Sequence, residues 1–236
     1  MHQKRFFVMI AIASLLFINS REINSQSAHA NGRGFEVGAQ FSVIRLTSPT
    51  PTSRELPRVP CAQPPCPTYV FANGRAGFGG RFAYNFSQNV ALEAEGNFFP
   101  QDRELNNGRK LQALFGVKAG KRFDKAGLFA KARPGFVRYE KGDYRPTPGL
   151  VCAATDPPPL ACFTSLARTR FAFDLGGVVE FYPSRHTIIR FDAGDTIIRF
   201  EKRQVAVFGA GDRGVIPVTA ETTNNFQASV GIGYRF

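Results

Sequence analysis

The chain has 236 residues, of which 43% are hydrophobic and 20% charged, and its formal net charge at pH 7 is +12. The hydrophobic fraction and the 24 phenylalanines argue against an intrinsically disordered chain, because enough apolar surface is present to build a core. Four cysteines are too few for a small disulfide-rich fold, and no apolar run reaches the roughly 18 residues of a transmembrane helix.

The first 30 residues predict a secretory signal peptide. Lys4 and Arg5 precede an apolar run from Phe6 to Ile18, and the segment ends with Ala28-His-Ala30. A positive start, an apolar stretch too short to span a membrane and an Ala-x-Ala site together are typical of such a peptide. We therefore expect export, cleavage at Ala28 to Ala30, and a mature domain of residues 31–236.

From Phe35 onward the chain alternates between apolar and polar residues with a period of two. This pattern is typical of strands that have two different faces. In the first segment Phe35, Val37 and Phe41 share one face, while Glu36 and Gln40 share the other. The alternation predicts eight strands, at residues 35–46, 76–86, 90–98, 111–123, 128–139, 169–182, 187–200 and 225–236.

The seventh segment is less regular than the others. It contains Thr-Ile-Ile-Arg-Phe-Asp at 187–192 and Thr-Ile-Ile-Arg-Phe-Glu at 196–201. This odd offset would turn equivalent side chains to opposite faces of a regular strand. We therefore predict one strand with a β-bulge at Ala193-Gly-Asp195, and a tight turn there is the alternative.

The links between these strands alternate between short and long. Short links lie at residues 87–89, 124–127 and 183–186, and long links at 47–74, 99–110, 140–168 and 201–224. Such alternation predicts an all-β fold, an eight-stranded antiparallel up-and-down barrel with one decorated rim. A count of ten strands stays open if 201–224 forms a membrane-embedded hairpin.

The two strand faces differ in charge, and this difference favours a transmembrane barrel. The apolar face is almost free of charge, as a lipid-facing surface requires. The polar face mixes small residues with charges of both signs, whereas a soluble lipocalin-like barrel would place charges outside. We predict an ion network in the lumen, formed by Arg81, Glu93, Glu95, Lys118, Lys131, Arg133, Arg170, Asp174 and Glu180.

Three stretches resemble the small outer-membrane β-barrel proteins, the group that includes OmpA-type transmembrane domains and OmpX. They are the hairpin Gly77-Phe-Gly-Gly-Arg-Phe-Ala-Tyr-Asn-Phe86 with Val90-Ala-Leu-Glu-Ala-Glu95, the segment Gly127-Leu-Phe-Ala-Lys-Ala-Arg-Pro-Gly-Phe136, and the ending Val230-Gly-Ile-Gly-Tyr-Arg-Phe236. The resemblance covers residues 35–236 and implies localisation in the cell outer membrane, with both termini in the periplasm. It also implies that the ending, with Tyr234 and Phe236, is read by the barrel-assembly machinery.

The four cysteines lie in two long, proline-rich links. In an oxidising envelope, the pairs Cys61–Cys66 and Cys152–Cys162 predict two local disulfides. Their spacings fit zinc modules poorly and no histidine lies nearby, so we expect no metal site.

No combination of residues predicts a catalytic or cofactor site. The mature chain keeps a single histidine, His186, in a tight turn opposite the long links, and Glu93 and Glu95 favour a structural ion network over acid–base catalysis. The run Gly209-Ala-Gly-Asp-Arg-Gly214 matches a dinucleotide-binding spacing, but Val215-Ile-Pro-Val218 follows it in place of a helix. We therefore expect a protein that is not an enzyme and holds no cofactor.

These patterns favour a structural envelope role or an interaction role for the barrel. An eight-stranded interior is filled by side chains, so we expect no wide pore. The expected partners are outer-membrane lipid, the assembly machinery and an extracellular ligand or surface partner at links 47–74, 140–168 and 201–224. Because the basic residues form no continuous patch, nucleic acid is not expected. The alternatives are a narrow pore for small solutes and a soluble exported ligand-binding barrel.

Overall fold

The structure, a computed structural model, describes residues 34–45, 74–101, 108–150, 160–208 and 213–236. The predicted signal peptide, its Ala28 and Ala30, and Cys61, Cys66 and Cys152 lie outside these residues. None of the described residues forms a helix long and apolar enough to cross a membrane. They form one short 3-10 helix, Leu160–Cys162, and ten strands: β1 Gly34–Arg45, β2 Gly74–Asn85, β3 Val90–Phe99, β4 Lys110–Arg122, β5 Ala126–Pro146, β6 Phe163–Phe181, β7 Thr187–Phe200, β8 Arg203–Phe208, β9 Arg213–Val218 and β10 Glu221–Arg235.

Eight of these strands close into a barrel, which confirms the predicted fold. The strand order is β1-β10-β7-β6-β5-β4-β3-β2, and each strand pairs with its neighbours in antiparallel fashion. β8 and β9 pair only with each other in a separate two-stranded sheet. The described residues between β7 and β10 therefore add no strands to the barrel, so the predicted count of eight is confirmed and the alternative of ten strands is wrong.

The barrel has two different ends. At one end, called here the short-turn end, the chain reverses direction within residues 86–89, 123–125 and 182–186. The opposite end, called here the long-link end, carries the longer connections between strands, including the β8–β9 sheet.

Alternation along the strands places polar residues inside and apolar residues outside. In β1, Glu36 is fully buried while Phe41 is 51% exposed. The outer face carries large apolar side chains on every barrel strand, among them Val37, Phe78, Leu92, Phe115, Phe136, Phe171, Phe191 and Ile232. A water-soluble globule would reverse this arrangement, because exposed apolar surface of this extent is costly in water.

The prediction of a β-bulge at residues 193–195 is wrong, and so is the alternative of a tight turn, because β7 is one continuous strand. Its register with β10 runs without a shift from Thr187 to Phe200, and its register with β6 is equally regular. The repeated hexapeptides therefore do point their equivalent side chains to opposite faces. Arg190 is buried in the lumen, whereas Arg199 is exposed on the outside. Asp195 faces outward, between its paired neighbours Leu175 and Phe226.

β5 and β6 extend well beyond the barrel at the long-link end. β5 pairs with β4 only as far as Tyr139, but residues 143–146 continue to pair with 163–166 of β6 after a register shift. The predicted strands 128–139 and 169–182 are therefore too short at this end. The sequence Glu140-Lys-Gly-Asp-Tyr144 does not alternate, so the period-two pattern gives no signal for this extension.

The neighbours Gly176 and Gly177 give a test of how closely the strands pack. A Cβ atom on Gly176 would lie 2.2 Å from the carbonyl oxygen of Ala193, whereas one on Gly177 would find its nearest atom at 3.9 Å. We predict that Gly176→Ala lowers the free energy of unfolding by about 1–3 kcal/mol through overpacking, and that Gly177→Ala leaves it nearly unchanged. Urea unfolding in detergent micelles measures both variants, and equal stabilities would contradict the prediction.

Candidate functional site

The outer wall is bordered by different side chains at the two ends. At the short-turn end aromatic rings cluster, with Phe35 5.0 Å from Tyr84 and Tyr234 5.0 Å from Phe236 between ring centroids. Because the sequence has no tryptophan, phenylalanine and tyrosine alone supply the aromatic rings at this border, and only tyrosine is amphipathic. At the long-link end the wall ends at exposed, outward-facing arginines: Arg45, Arg138 and Arg199.

The two residues of the predicted C-terminal assembly signal lie at the short-turn end. Tyr234 and Phe236 are both exposed on the outer face. The backbone N–H of Phe236 donates to the carbonyl oxygen of Phe35 at 3.0 Å, so the C-terminus is held against β1 where the barrel closes.

All nine residues of the predicted ion network are buried, and most of them meet in the centre of the lumen. Arg133 donates to Asp174 from Nε at 2.9 Å and from Nη2 at 2.7 Å, and to Glu95 from Nη1 at 2.6 Å. Lys118 Nζ lies 2.5 Å from Glu180 Oε1. These contacts join β3, β4, β5 and β6 across the lumen. The network also includes Lys131, which bridges Asp174 and Asp192 at 3.0 and 2.9 Å.

Two of the predicted network residues have a different environment. Arg170 lies at the long-link end, where Nη1 contacts Glu201 at 2.9 Å, so it is not part of the central cluster. Arg81 lies in the lumen without a direct ion pair to any described residue. Gly38 and Gly233 leave room for its guanidinium, because a Cβ on either would lie 3.3 or 3.4 Å from Arg81 Nη2.

The structure adds charged residues that the predicted network did not include, among them Arg190, Asp192 and Glu36. Arg190 is almost fully buried and donates to Glu93 from both Nη atoms and to Asp192 from Nε. Glu36 accepts hydrogen bonds from Arg235 Nε and Asn85 Nδ2, both at 2.9 Å, at the short-turn end. Strict alternation through β7 would have placed Arg190 and Asp192 in the lumen, but the repeated hexapeptide suggested an irregular strand instead.

A layer of neutral polar side chains lies next to the charged cluster, towards the long-link end. Asn97 donates to Glu95 at 2.7 Å and to Gln112 at 2.8 Å, and Gln112 donates to Gln227 at 3.0 Å. Gln227 also accepts from Thr196 at 2.9 Å. This chain of hydrogen bonds crosses the lumen from β3 to β7 and satisfies amides that would otherwise be costly to bury.

An apolar cluster follows this layer inside the barrel at the long-link end. Leu114, Val137, Ala172 and Ile198 are each at most 3% exposed and pack with Tyr139 and Phe200. These residues fill part of the lumen with apolar side chains, where an ion would have to lose its hydration.

Neither His186 nor the central carboxylates belong to a metal-binding group among the described residues. No group of three or more His, Cys, Asp or Glu side chains among them is placed to hold a metal ion. His186 lies exposed in the turn after β6, and its ring stacks on Tyr234 with 5.4 Å between centroids. The central carboxylates are engaged by cations, which is typical of a structural network.

Two further sequence features fall partly outside the described residues. Cys162 is disulfide-bonded, but Cys61, Cys66 and Cys152 are not described, so the predicted pairings stay predictions. Gly209 and Gly211 are not described either. Residues 213–218 after them form β9, a strand, where a dinucleotide fingerprint needs a helix.

A cleft of about 590 Å³ lies at the long-link end, between the extension of β5 and the base of the β8–β9 sheet. Asp143 joins the two walls, because its Oδ1 accepts the backbone N–H of Gln204 at 2.9 Å and its Oδ2 accepts from Arg168 Nη2 at 3.1 Å. Burial alone would raise the pKa of Asp143, but these bonds hold the pKa below its usual value. The carboxylate is therefore ionised and fully engaged at neutral pH.

Comparison with known proteins gives one family and several similar folds. Residues 11–236 match the family model described as outer membrane protein beta-barrel domain. The outer membrane protein OprG of Pseudomonas aeruginosa is 10% identical, with 87% of this chain and 97% of that chain covered and a TM-score of 0.45. Neisserial surface protein A is 10% identical, with 86% of this chain and 97% of that chain covered and a TM-score of 0.45. The attachment invasion locus protein Ail of Yersinia pestis is 11% identical, with 88% of this chain and 100% of that chain covered and a TM-score of 0.43. None of the curated proteins matches this chain in sequence.

Removing one member of the central ion network tests its contribution to stability. Arg133→Met would leave Asp174 and Glu95 without their principal cation, and we predict a loss of about 3–5 kcal/mol in the free energy of unfolding. The control is Arg109→Met, which breaks the exposed pair with Glu140 and should leave stability almost unchanged. Urea titration of both proteins in the same micelles measures the difference. A loss no larger for Arg133→Met than for Arg109→Met would refute this role.

Proposed function

Because the chain belongs to the outer membrane protein beta-barrel domain family, we propose that it is a non-conducting barrel that presents its long-link end to partners outside the cell. The protein lies in the outer membrane, and its apolar outer wall contacts the lipid. The alternative of a soluble exported ligand-binding barrel is therefore wrong. Such a barrel would carry its charges outside and its apolar residues inside, whereas the strands of this barrel place charges in the lumen and apolar residues on the outer face.

The filled lumen is the observation that supports a non-conducting barrel. Charged side chains from β3 to β7 are paired across its centre, the amide layer spans it, and the apolar cluster around Leu114 and Ile198 follows. A solute would have to break buried ion pairs and then displace the packed apolar side chains beyond them. Both steps carry costs of several kcal/mol, so the narrow pore is disfavoured.

The contacts already made by His186 and by the lumen carboxylates support a role without catalysis. His186 is stacked on Tyr234 at the short-turn end, away from the cleft and the long connections. The carboxylates of the lumen are buried among cations and have no access to a substrate. The remaining roles for this barrel are to anchor the envelope and to bind partners through segments that leave the membrane.

The export route and the orientation form part of the proposal. Residues 1–30 act as a signal peptide cleaved after Ala30, and the mature domain begins at residue 31. The short-turn end faces the periplasm, where the barrel-assembly machinery meets the segment with Tyr234 and Phe236. The long-link end then faces the outside of the cell, and its outward-facing arginines lie where outer-leaflet headgroups begin.

Planar-bilayer recording tests the absence of conduction. We predict that the purified folded protein produces no stepwise conductance, whereas a porin added to the same bilayer does. Resistance to SDS before heating shows that the protein is folded, and protease protection in vesicles of the same lipid shows that it is inserted. Reproducible conductance steps from folded, inserted protein would sink the proposal in favour of the narrow pore.

The mass of the mature protein tests the predicted processing. Protein purified from outer membranes should begin at Asn31, and its mass should be lower by two hydrogens for each of the two disulfides. Peptide mapping without reduction should then pair Cys61 with Cys66 and Cys152 with Cys162. A retained N-terminus, or crossed pairing between the two links, would contradict this part of the proposal.

A further inference from the structure

The cleft at the long-link end combines positive charge with apolar walls. Three cationic residues line it, namely Arg145, Lys202 and Arg203. Its one acidic lining residue, Asp143, already accepts hydrogen bonds at both carboxylate oxygens. Oδ1 accepts from the backbone N–H groups of Tyr144 and Gln204, and Oδ2 accepts from Arg168. The charge that remains to face a ligand is therefore positive.

The three cations differ in how fully they are already engaged. Arg145 and Lys202 are exposed, and neither forms an ion pair within the part of the chain that the structure describes. Arg203 is only 8% exposed, and its Nη2 donates to Glu221 at 2.9 Å. Its Nη1 is buried without a hydrogen-bond partner, as is Oε1 of the neighbouring Gln204, which also lines the cleft. Buried polar atoms of this kind are rare in folded proteins unless a ligand or an ordered water completes them.

Other charges close to Arg203 increase the need for a counter-ion. Its guanidinium lies 4.0 Å from the centre of the Phe200 ring, next to Tyr139 and Arg170 at the mouth of the barrel. Burial lowers the pKa of Arg203, and the nearby charge of Arg170 lowers the pKa further, although Glu221 opposes both effects. Glu221 pairs with Arg203 and Glu201 pairs with Arg170, whereas Arg145 and Lys202 have no ion pair among the described residues, so an added anion would stabilise this region.

The walls between these charges are apolar and suit a ligand ring with an apolar face. Tyr144, Pro146, Pro217 and Val218 line the cleft, and Val218 is buried beneath it. The volume of about 590 Å³ lies in the usual range for small-molecule sites, so it exceeds what a lone phosphate ion needs. Aromatic and proline rings pack well against the C–H faces of sugars, while a charged substituent reaches the cations at the edge.

We propose that this cleft binds an acidic sugar, a pyranose carrying a phosphate or carboxylate group, with the anionic group held by Arg145, Lys202 and the free Nη1 of Arg203. The inference deepens the proposed function and rests on it for the side of the membrane from which the sugar arrives. Two sources share this chemistry: a free acidic sugar in the medium, and the phosphorylated sugar headgroup of an outer-leaflet glycolipid. The site on β5 and β8 is the same in both cases.

Binding by the folded, full-length mature protein in detergent micelles tests the proposal without reference to orientation or conductance. The probes are glucose 6-phosphate, glucuronate, glucose and inorganic phosphate, measured by saturation-transfer NMR and competition. We expect both acidic sugars to bind at least about tenfold more tightly than glucose or inorganic phosphate, because only they use the cations and the apolar walls together. Equal binding of inorganic phosphate, or no binding of either acidic sugar, would overturn the proposal.

Matched variants locate the site. Arg145→Gln with Lys202→Gln should weaken binding of the acidic sugars at least about tenfold. Lys125→Gln with Arg185→Gln removes the same charge from exposed residues at the short-turn end and should leave binding unchanged. Neither pair belongs to the buried ion network, and heat-modifiable migration on SDS gels confirms folding. An equal loss in both double variants would show nonspecific charge attraction and refute the site.

A further experiment with glycolipids distinguishes a free acidic sugar from a glycolipid headgroup as the ligand. Native mass spectrometry with phosphorylated lipid A and with its dephosphorylated form measures headgroup binding. Retention of the phosphorylated form that is lost in Arg145→Gln with Lys202→Gln assigns the site to the membrane headgroup, and binding of the soluble sugars alone assigns it to a free ligand. Equal retention of both lipid forms would contradict recognition of the anionic group. These results are independent of the bilayer recording, so a conducting barrel would refute the proposed function but leave the cleft in place.

Discussion

Carboxylates and cationic side chains are buried together inside this barrel, and such charges are costly to bury without partners of opposite sign. The carboxylates belong to Glu36, Glu93, Glu95, Asp174, Glu180 and Asp192, and the cations include Arg81, Lys118, Lys131, Arg133 and Arg190. Each charge lost its hydration on folding, so the lumen is stable only because charges of opposite sign meet across it. The network requires every strand to hold its register, since a slip of one residue would turn these charges into the lipid. Register, closure and membrane insertion thus depend on the same contacts.

Most of the fold follows from two regularities of the sequence, but the exceptions are informative. Period-two alternation and the alternation of link lengths predict the eight barrel strands and their faces. They fail in β7, where Ile188 and Ile198 face the lumen and make both faces look apolar. Inside a closed barrel, lumen-facing residues can be apolar on either side of the charged centre. The sequence of a single strand does not show which of its apolar residues face the lumen. The extension of β5 was missed for another reason, because Asp143 holds it through contacts with Gln204, a residue distant in sequence.

The charged cluster was easier to predict than its exact membership. Residue type and strand face identify Glu93, Lys118 and Arg133 as lumen charges, since no other environment in a membrane barrel suits them. Which carboxylate meets which cation depends on how the strands are offset around the barrel, and pairing of this kind is a property of the closed structure. Arg170 shows the consequence: it has the correct face but lies at the mouth, where it pairs with Glu201. The cleft beside Arg203 had no sequence signal at all, because its walls come from β5 and from the base of a separate sheet.

The basic character of the chain divides between two physical settings. Inside the lumen Lys118, Lys131, Arg133 and Arg190 pair with carboxylates, so this part of the charge is neutralised within the barrel. At the long-link end the described carboxylates are also engaged, as Glu140 is by Arg109 and Glu221 by Arg203, yet Arg145 and Lys202 remain. These two cations at the long-link end therefore remain open to partners beside the cleft. For the closed barrel that we propose, recognition is expected at this end, because cations without an ion pair among the described residues meet apolar side chains there around a space large enough for a ligand.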